Sequence, residues 1–114
     1  MFTPGQPVRI MLCGDAVDMR KSFIGLQVVV RQVLGEDPAD GNVYIFINRR
    51  GNYLKALYWD QNGWCIWSKR LEQGQFHLPC PGVLKQLVSE TQLRLLLEGL
   101  TVEITRRYKR YCVA

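Results

Sequence analysis

Four carboxylates, Asp15, Asp18, Asp60 and Glu72, are the residues that could serve phosphoryl transfer, because two-metal chemistry needs acidic side chains converging on a pair of cations. Their contexts favour a plainer reading. Asp15 follows Gly14, Asp60 opens the Asp60-Gln61-Asn62-Gly63 turn, and Asp18 stands where a helix cap is wanted, all ordinary structural uses of aspartate. The single histidine, His77, sits in a proline-rich loop with no motif placing a serine or cysteine beside it, so it reads as a surface or packing residue. Gly5, Gly14, Gly25 and Gly35 are isolated, and none opens a helix in phosphate-loop spacing. The expectation is a non-enzyme with no cofactor, no metal and no small-molecule substrate.

Binding chemistry has more to work with. Arg49 and Arg50 fall in the turn Asn48-Arg49-Arg50-Gly51-Asn52, and two consecutive arginines there cannot both be buried cheaply. They should reach solvent or a polyanion, and the chemistry of arginine suits both. In the strand that follows, Tyr53, Lys55, Leu57 and Trp59 share one face, since side chains alternate with period two. Cations beside aromatic platforms are what single-stranded nucleic acid requires. Against that, Trp59, Trp64 and Trp67 are read in the first place as core residues, with Lys55 snorkelling from an apolar face.

Charge narrows the argument. The chain carries 15 Lys and Arg against 10 Asp and Glu, a formal net charge of +5. Four of those 15 basic residues (Arg106, Arg107, Lys109, Arg110) belong to one short tail, so 11 remain against 10 acids and the body is close to neutral. Cys13, Cys65, Cys80 and Cys112 form no C-x-x-C pair, which argues against zinc. Without a signal peptide they are expected as free thiols in a cytoplasmic protein, Cys13 and Cys65 buried. No apolar run reaches the roughly 18 residues of a membrane span.

The elements that must position these residues follow from punctuation and period. At 114 residues one domain over 1–114 is expected, with residues 1–7 as lead-in and 105–114 as a basic tail that is strand, helix or unstructured. Val8–Cys13 reads as a strand. A helix capped by Asp18 or Ser22 carries Phe23, Leu26, Val30 and Val33 and stops at Gly35. Runs Val43–Ile47, Tyr53–Trp59 and Trp64–Lys69, separated by turn-forming residues, predict an antiparallel meander. Leu71–Gly82 is a loop and Val83–Val88 a short strand. Ser89 and Gln92 form a capping box for a helix with Leu93, Leu96, Leu97 and Leu100 on one face. The fold class is therefore α+β, an antiparallel β-meander sheet with two main helices packed on it.

One family shares these residues. Asp18-Met19-Arg20-Lys21-Ser22-Phe23 with Gly25-Leu26 resembles the opening of the small accessory protein of insertion-sequence-66 transposons. Phe46-Ile47-Asn48-Arg49-Arg50, Lys55, Leu57, Trp59-Asp60, Gly63, Lys69-Arg70-Leu71-Glu72, Gly74, Phe76 and Pro79 resemble its second block, and Ser89 to Gly99 its closing helix. Ile24 and His77-Leu78 depart from the pattern. That family is often called TnpB, a name shared with an unrelated RNA-guided nuclease. The resemblance implies an accessory role in DNA transposition beside a separate, larger transposase. Arg20, Lys21, Arg49, Arg50, Lys55, Lys69, Arg70, Arg106 and Arg107 are then the expected contact residues, toward transposon DNA or the transposase complex. The alternative is a protein–protein bridging module without direct DNA binding; a metal-dependent nuclease ranks third.

Overall fold

Two of the apolar runs, Ile-Met-Leu-Cys and Val-Tyr-Ile-Phe-Ile, have no polar residue at alternate positions, which suits strands covered on both faces. The computed structural model, which describes residues 8–99, puts them there: β1 (Ile10–Cys13) and β2 (Val43–Ile47) are buried at every position. Expectations for residues 1–7, Leu100, Cys112 and the tail with Arg106 and Arg107 lie outside the described residues. The chain continues from β1 through α1 (Phe23–Gln32) to β2, then β3 (Tyr53–Asp60), β4 (Gly63–Arg70), β5 (Lys85–Val88) and α2 (Glu90–Leu97).

The five strands form one sheet in the order β4-β3-β2-β1-β5. The meander β2-β3-β4 is antiparallel as the turn residues predict, with Tyr44 opposite Leu57 and Trp59 opposite Trp64. The sheet as a whole is mixed, which corrects the purely antiparallel expectation. β1 pairs with β2 in parallel, Met11 opposite Tyr44, and with β5 in antiparallel. The physical reason is α1, since parallel neighbours need a crossover connection and residues 14–42 supply one.

Each face of the sheet receives one helix. Leu26, Val29 and Val30 of α1, with Leu34, cover Met11, Tyr44, Phe46 and Leu57. Leu93 and Leu96 of α2 cover Ile10, Leu12, Ile45, Leu54 and Ala56 on the other side. Burying a side chain of this size contributes about 1.5–3 kcal/mol. The α1 stripe is rotated from the expected one: Phe23 and Val33 are exposed, and Val29 and Leu34 take their place. Ser22 is the N-cap residue but its side chain makes no capping bond. Ser89 and Gln92 do make both bonds of the capping box at α2.

Other details refine the reading. Gln61 carries a positive φ of 53° in the β3–β4 hairpin. Cys13 and Cys65 are free thiols, whereas Cys80 is disulfide-bonded, contrary to the expectation that all were free. Among the described residues no helix is long and apolar enough to cross a membrane.

Candidate nucleic-acid interface

The turn that presents Arg49 and Arg50 is built from its flanking asparagines. The Asn48 side chain accepts bonds from the backbone N–H of Asn52 (3.0 Å) and Tyr53 (3.1 Å), and its amide donates to Asn52 Oδ1 (2.8 Å). The Gly51 N–H donates to the Asn48 carbonyl at 3.0 Å, closing a four-residue turn with both arginines at its centre. Gly51 leaves it at φ 75°, a conformation that disfavours any other residue. Behind the tip, the Gln75 amide donates to the Arg50 carbonyl (2.9 Å) and the Phe76 N–H to the Gly51 carbonyl (2.7 Å). With its backbone held on both sides, the turn leaves both arginine side chains exposed.

A second segment, residues 14–21, closes on this turn and is fastened along its length. The Gly14 N–H donates to the Leu84 carbonyl (2.6 Å), and a Cβ at Gly14 would run into the carbonyl of Val83, so glycine is needed for the close approach. The Val17 N–H donates to the Ile47 carbonyl at 3.0 Å. Lys55 Nζ, reaching up from β3, donates to the carbonyls of Met19 (2.7 Å) and Lys21 (2.8 Å). Lys55 is thus a fastener for the loop, a role its place in the strand pattern did not suggest.

Between the two segments lies an open cleft of about 520 Å³ whose lining includes Asp18, Arg20, Arg49, Arg50, Tyr53 and Arg70. Arg70 stands opposite Tyr53 across the hairpin and lies over its ring, 4.6 Å from guanidinium carbon to centroid. Four arginines therefore converge from three parts of the chain. Among the described residues only Arg20 of these four has an acidic partner: it grips Asp18 with two nitrogens, the closest contact 2.6 Å. Among the described residues Arg49, Arg50, Arg70 and the exposed Lys21 have no ion pair.

The remaining expected residues are elsewhere. Lys69 points to the opposite face and donates to the Leu97 carbonyl (2.9 Å), a cation at the C-terminal end of α2. Trp59 and Trp64 contact edge to face, centroids 5.0 Å apart, at the far end of the hairpin. Six residues of strand put them roughly 20 Å from the arginine turn. All three tryptophans are half-buried, neither full core residues nor platforms beside Arg49 and Arg50. Tyr53 is the aromatic that shares the cleft, and its position directly after Asn52 was the available signal. The nuclease candidates do not converge either, since Asp60 stands at the far turn while Asp18 is engaged by Arg20. Burial pushes the Cys13 thiol up, so it is a poor nucleophile.

The Asp18–Arg20 pair carries a pH signature. Hydrogen bonds from the Arg20 side chain, then from its backbone N–H, hold the Asp18 carboxyl at about 2 against an ordinary 3.8. A depressed carboxyl favours the folded pairing above its ordinary value and loses it as pH falls through the folded one. The pair therefore persists at neutral pH and down to about pH 2. Arg20 is 92% exposed, so the pair orients the guanidinium more than it stabilises the fold. We expect an NMR titration of Asp18 with a midpoint near 2 that climbs toward 3.8 in Arg20→Ala. An unmoved midpoint would mean that Arg20 is not the cause.

Together these features define a small α+β domain with a mixed sheet and an arginine-lined cleft at one end of the β2–β3 hairpin. The chain belongs to the IS66 Orf2-like protein family, whose model matches residues 8–107. That membership makes it an accessory protein associated with transposition, in a family that is not a known enzyme. It is similar to the uncharacterized protein y4hO of Sinorhizobium fredii (strain NBRC 101917 / NGR234), 37% identical over 88% of this chain and 87% of that one. It is also similar to the uncharacterized protein y4jC of the same organism, 33% identical over 88% and 86%. No solved structure matches.

Proposed function

We propose that this chain is a non-catalytic factor in insertion-sequence transposition whose arginine cleft holds the phosphate backbone of transposon DNA. The observation that carries this reading is the convergence of Arg49, Arg50 and Arg70, none of them ion-paired among the described residues, on a cleft whose walls are pinned by backbone hydrogen bonds. Arginine presents a planar fork of donors that matches phosphate oxygens in pairs. Preorganised backbone on both sides lowers the ordering cost of binding.

The test is a titration of labelled element-end DNA with the wild type and the Arg49→Ala/Arg50→Ala variant at several salt concentrations. Each neutralised phosphate contributes about 0.9 to the slope of log affinity against log salt. The double variant should therefore bind more weakly and lose about 2 from that slope. A wild type that fails to bind any DNA at low salt would sink the reading and favour the bridging module, with the same arginines meeting acidic protein surfaces.

A further inference from the structure

The arginine turn has two sides, and the second also faces a cavity. A pocket of about 300 Å³ shares Ala16, Asn48, Arg49 and Arg50 with the cleft, so these residues are the wall between them. Its volume is at the lower end of small-molecule sites, about 300–1,000 Å³. The apolar part of its lining is the buried Ile47 and Phe76 with the half-buried Leu78, all in the core cluster on the α2 side of the sheet, and Cys13 borders it from the other side. Of the polar side chains at its rim, Asn48 is committed to the turn and Gln75 to the Arg50 carbonyl. Arg49 and Arg50 stay free for a phosphate, and Asp15 is the acidic side chain at this rim, with no side-chain bond to the protein among the described residues.

We propose that this pocket takes an unpaired nucleobase of a DNA strand whose phosphates lie on Arg49 and Arg50. The inference rests on the DNA reading above and adds the class of nucleic acid: a strand with at least one base out of the helix. A flat, apolar face with a polar edge is what this pocket complements, and a base within duplex DNA cannot present its face there without leaving the stack. Asp15 sets a preference. An ionised carboxylate only accepts hydrogen bonds, so it favours bases with an exocyclic amine, such as cytosine, over thymine, which offers a single ring N–H. Asp15 also repels neighbouring phosphates, so its removal acts with opposite sign on base reading and on backbone binding.

The experiment compares four labelled DNAs at fixed salt: a blunt duplex and the same duplex with a four-nucleotide single-stranded extension of cytosine, of thymine or of abasic sites. The wild type should bind the cytosine extension about tenfold more tightly than the blunt duplex, toward the lower end of what one stacked base contributes. The abasic extension should gain little. Leu78→Trp, which fills the pocket from a half-buried position, should erase the gain while leaving blunt-duplex affinity unchanged. Asp15→Asn, at an exposed position, should cut the cytosine-over-thymine preference and slightly raise blunt-duplex affinity. If the abasic extension binds as tightly as the cytosine one, or if Leu78→Trp keeps the full gain, the pocket is not a base site and only the backbone reading survives. If the wild type binds none of the four, both readings fall together.

Discussion

Gln86→Leu should lower the stability of this domain by about 3–5 kcal/mol, a large share of the roughly 5–15 kcal/mol that holds a domain folded. Gln86 is fully buried in β5 although glutamine is usually a surface residue. Its amide nitrogen donates to the carbonyls of Cys80 (2.8 Å) and Val83 (2.6 Å), and its oxygen accepts from the Cys80 N–H (3.1 Å). The side chain is thus the inner scaffold of the turn at residues 80–83. Leucine keeps much of the volume but removes three hydrogen bonds: the Cys80 carbonyl keeps the Val83 N–H (3.2 Å), while the bonds to the Cys80 N–H and the Val83 carbonyl are lost at about 1–3 kcal/mol each where nothing replaces them, with partial relief if water enters. The check is urea denaturation, where the midpoint should fall with the slope unchanged. A loss under 1 kcal/mol would show that the turn holds itself. The effect should travel, because Val83 and Leu84 are where Gly14 is seated and Gly14 begins the loop that forms one wall of the cleft.

What the sequence made legible divides along the distance over which each interaction acts. The Asn48–Asn52 turn and the Ser89–Gln92 capping box were readable because their partners lie within five residues. The meander was readable for the same reason, each of its turns joining neighbours in the sheet. The parallel pairing of β1 with β2 depends on where α1 returns the chain, and no local pattern states that. The missing alternation in Ile10–Cys13 and Val43–Ile47 was nonetheless a signal that both faces are covered. Apolar spacing of three and four allowed two stripes on α1, and contact with Tyr44, Phe46 and Leu57 selected Val29 and Leu34 over Phe23 and Val33. For the site, the arginines were visible by type. Their convergence was not, since Arg20, Arg49 and Arg70 meet only after the sheet forms. Charge and the family pattern placed Lys55 and Lys69 with them, although each spends its ammonium on backbone carbonyls more than 25 residues away.

Lys55 separates a residue that touches DNA from one that positions those that do. Lys55→Met keeps the unbranched stem on β3 and removes the ammonium, leaving the Met19 and Lys21 carbonyls without their donor. Hydrogen bonds to a charged group are worth about 1.5–3 kcal/mol, but one of these two is solvent-exposed, so a loss near 2 kcal/mol in total is expected. Amides of residues 17–21 should lose hydrogen-exchange protection while those of β2 and β3 keep theirs, since the loop opens locally and the sheet does not. DNA affinity should drop about fivefold, because Arg20 is carried by this loop and no longer faces Arg49 and Arg50. The decisive measurement is a double-mutant cycle with Arg20→Ala. If Lys55 acts through the loop, the second substitution adds little to the first, whereas two independent phosphate contacts would give additive losses. Additivity, together with a further fall of about 0.9 in the salt slope, would return Lys55 to the contact surface.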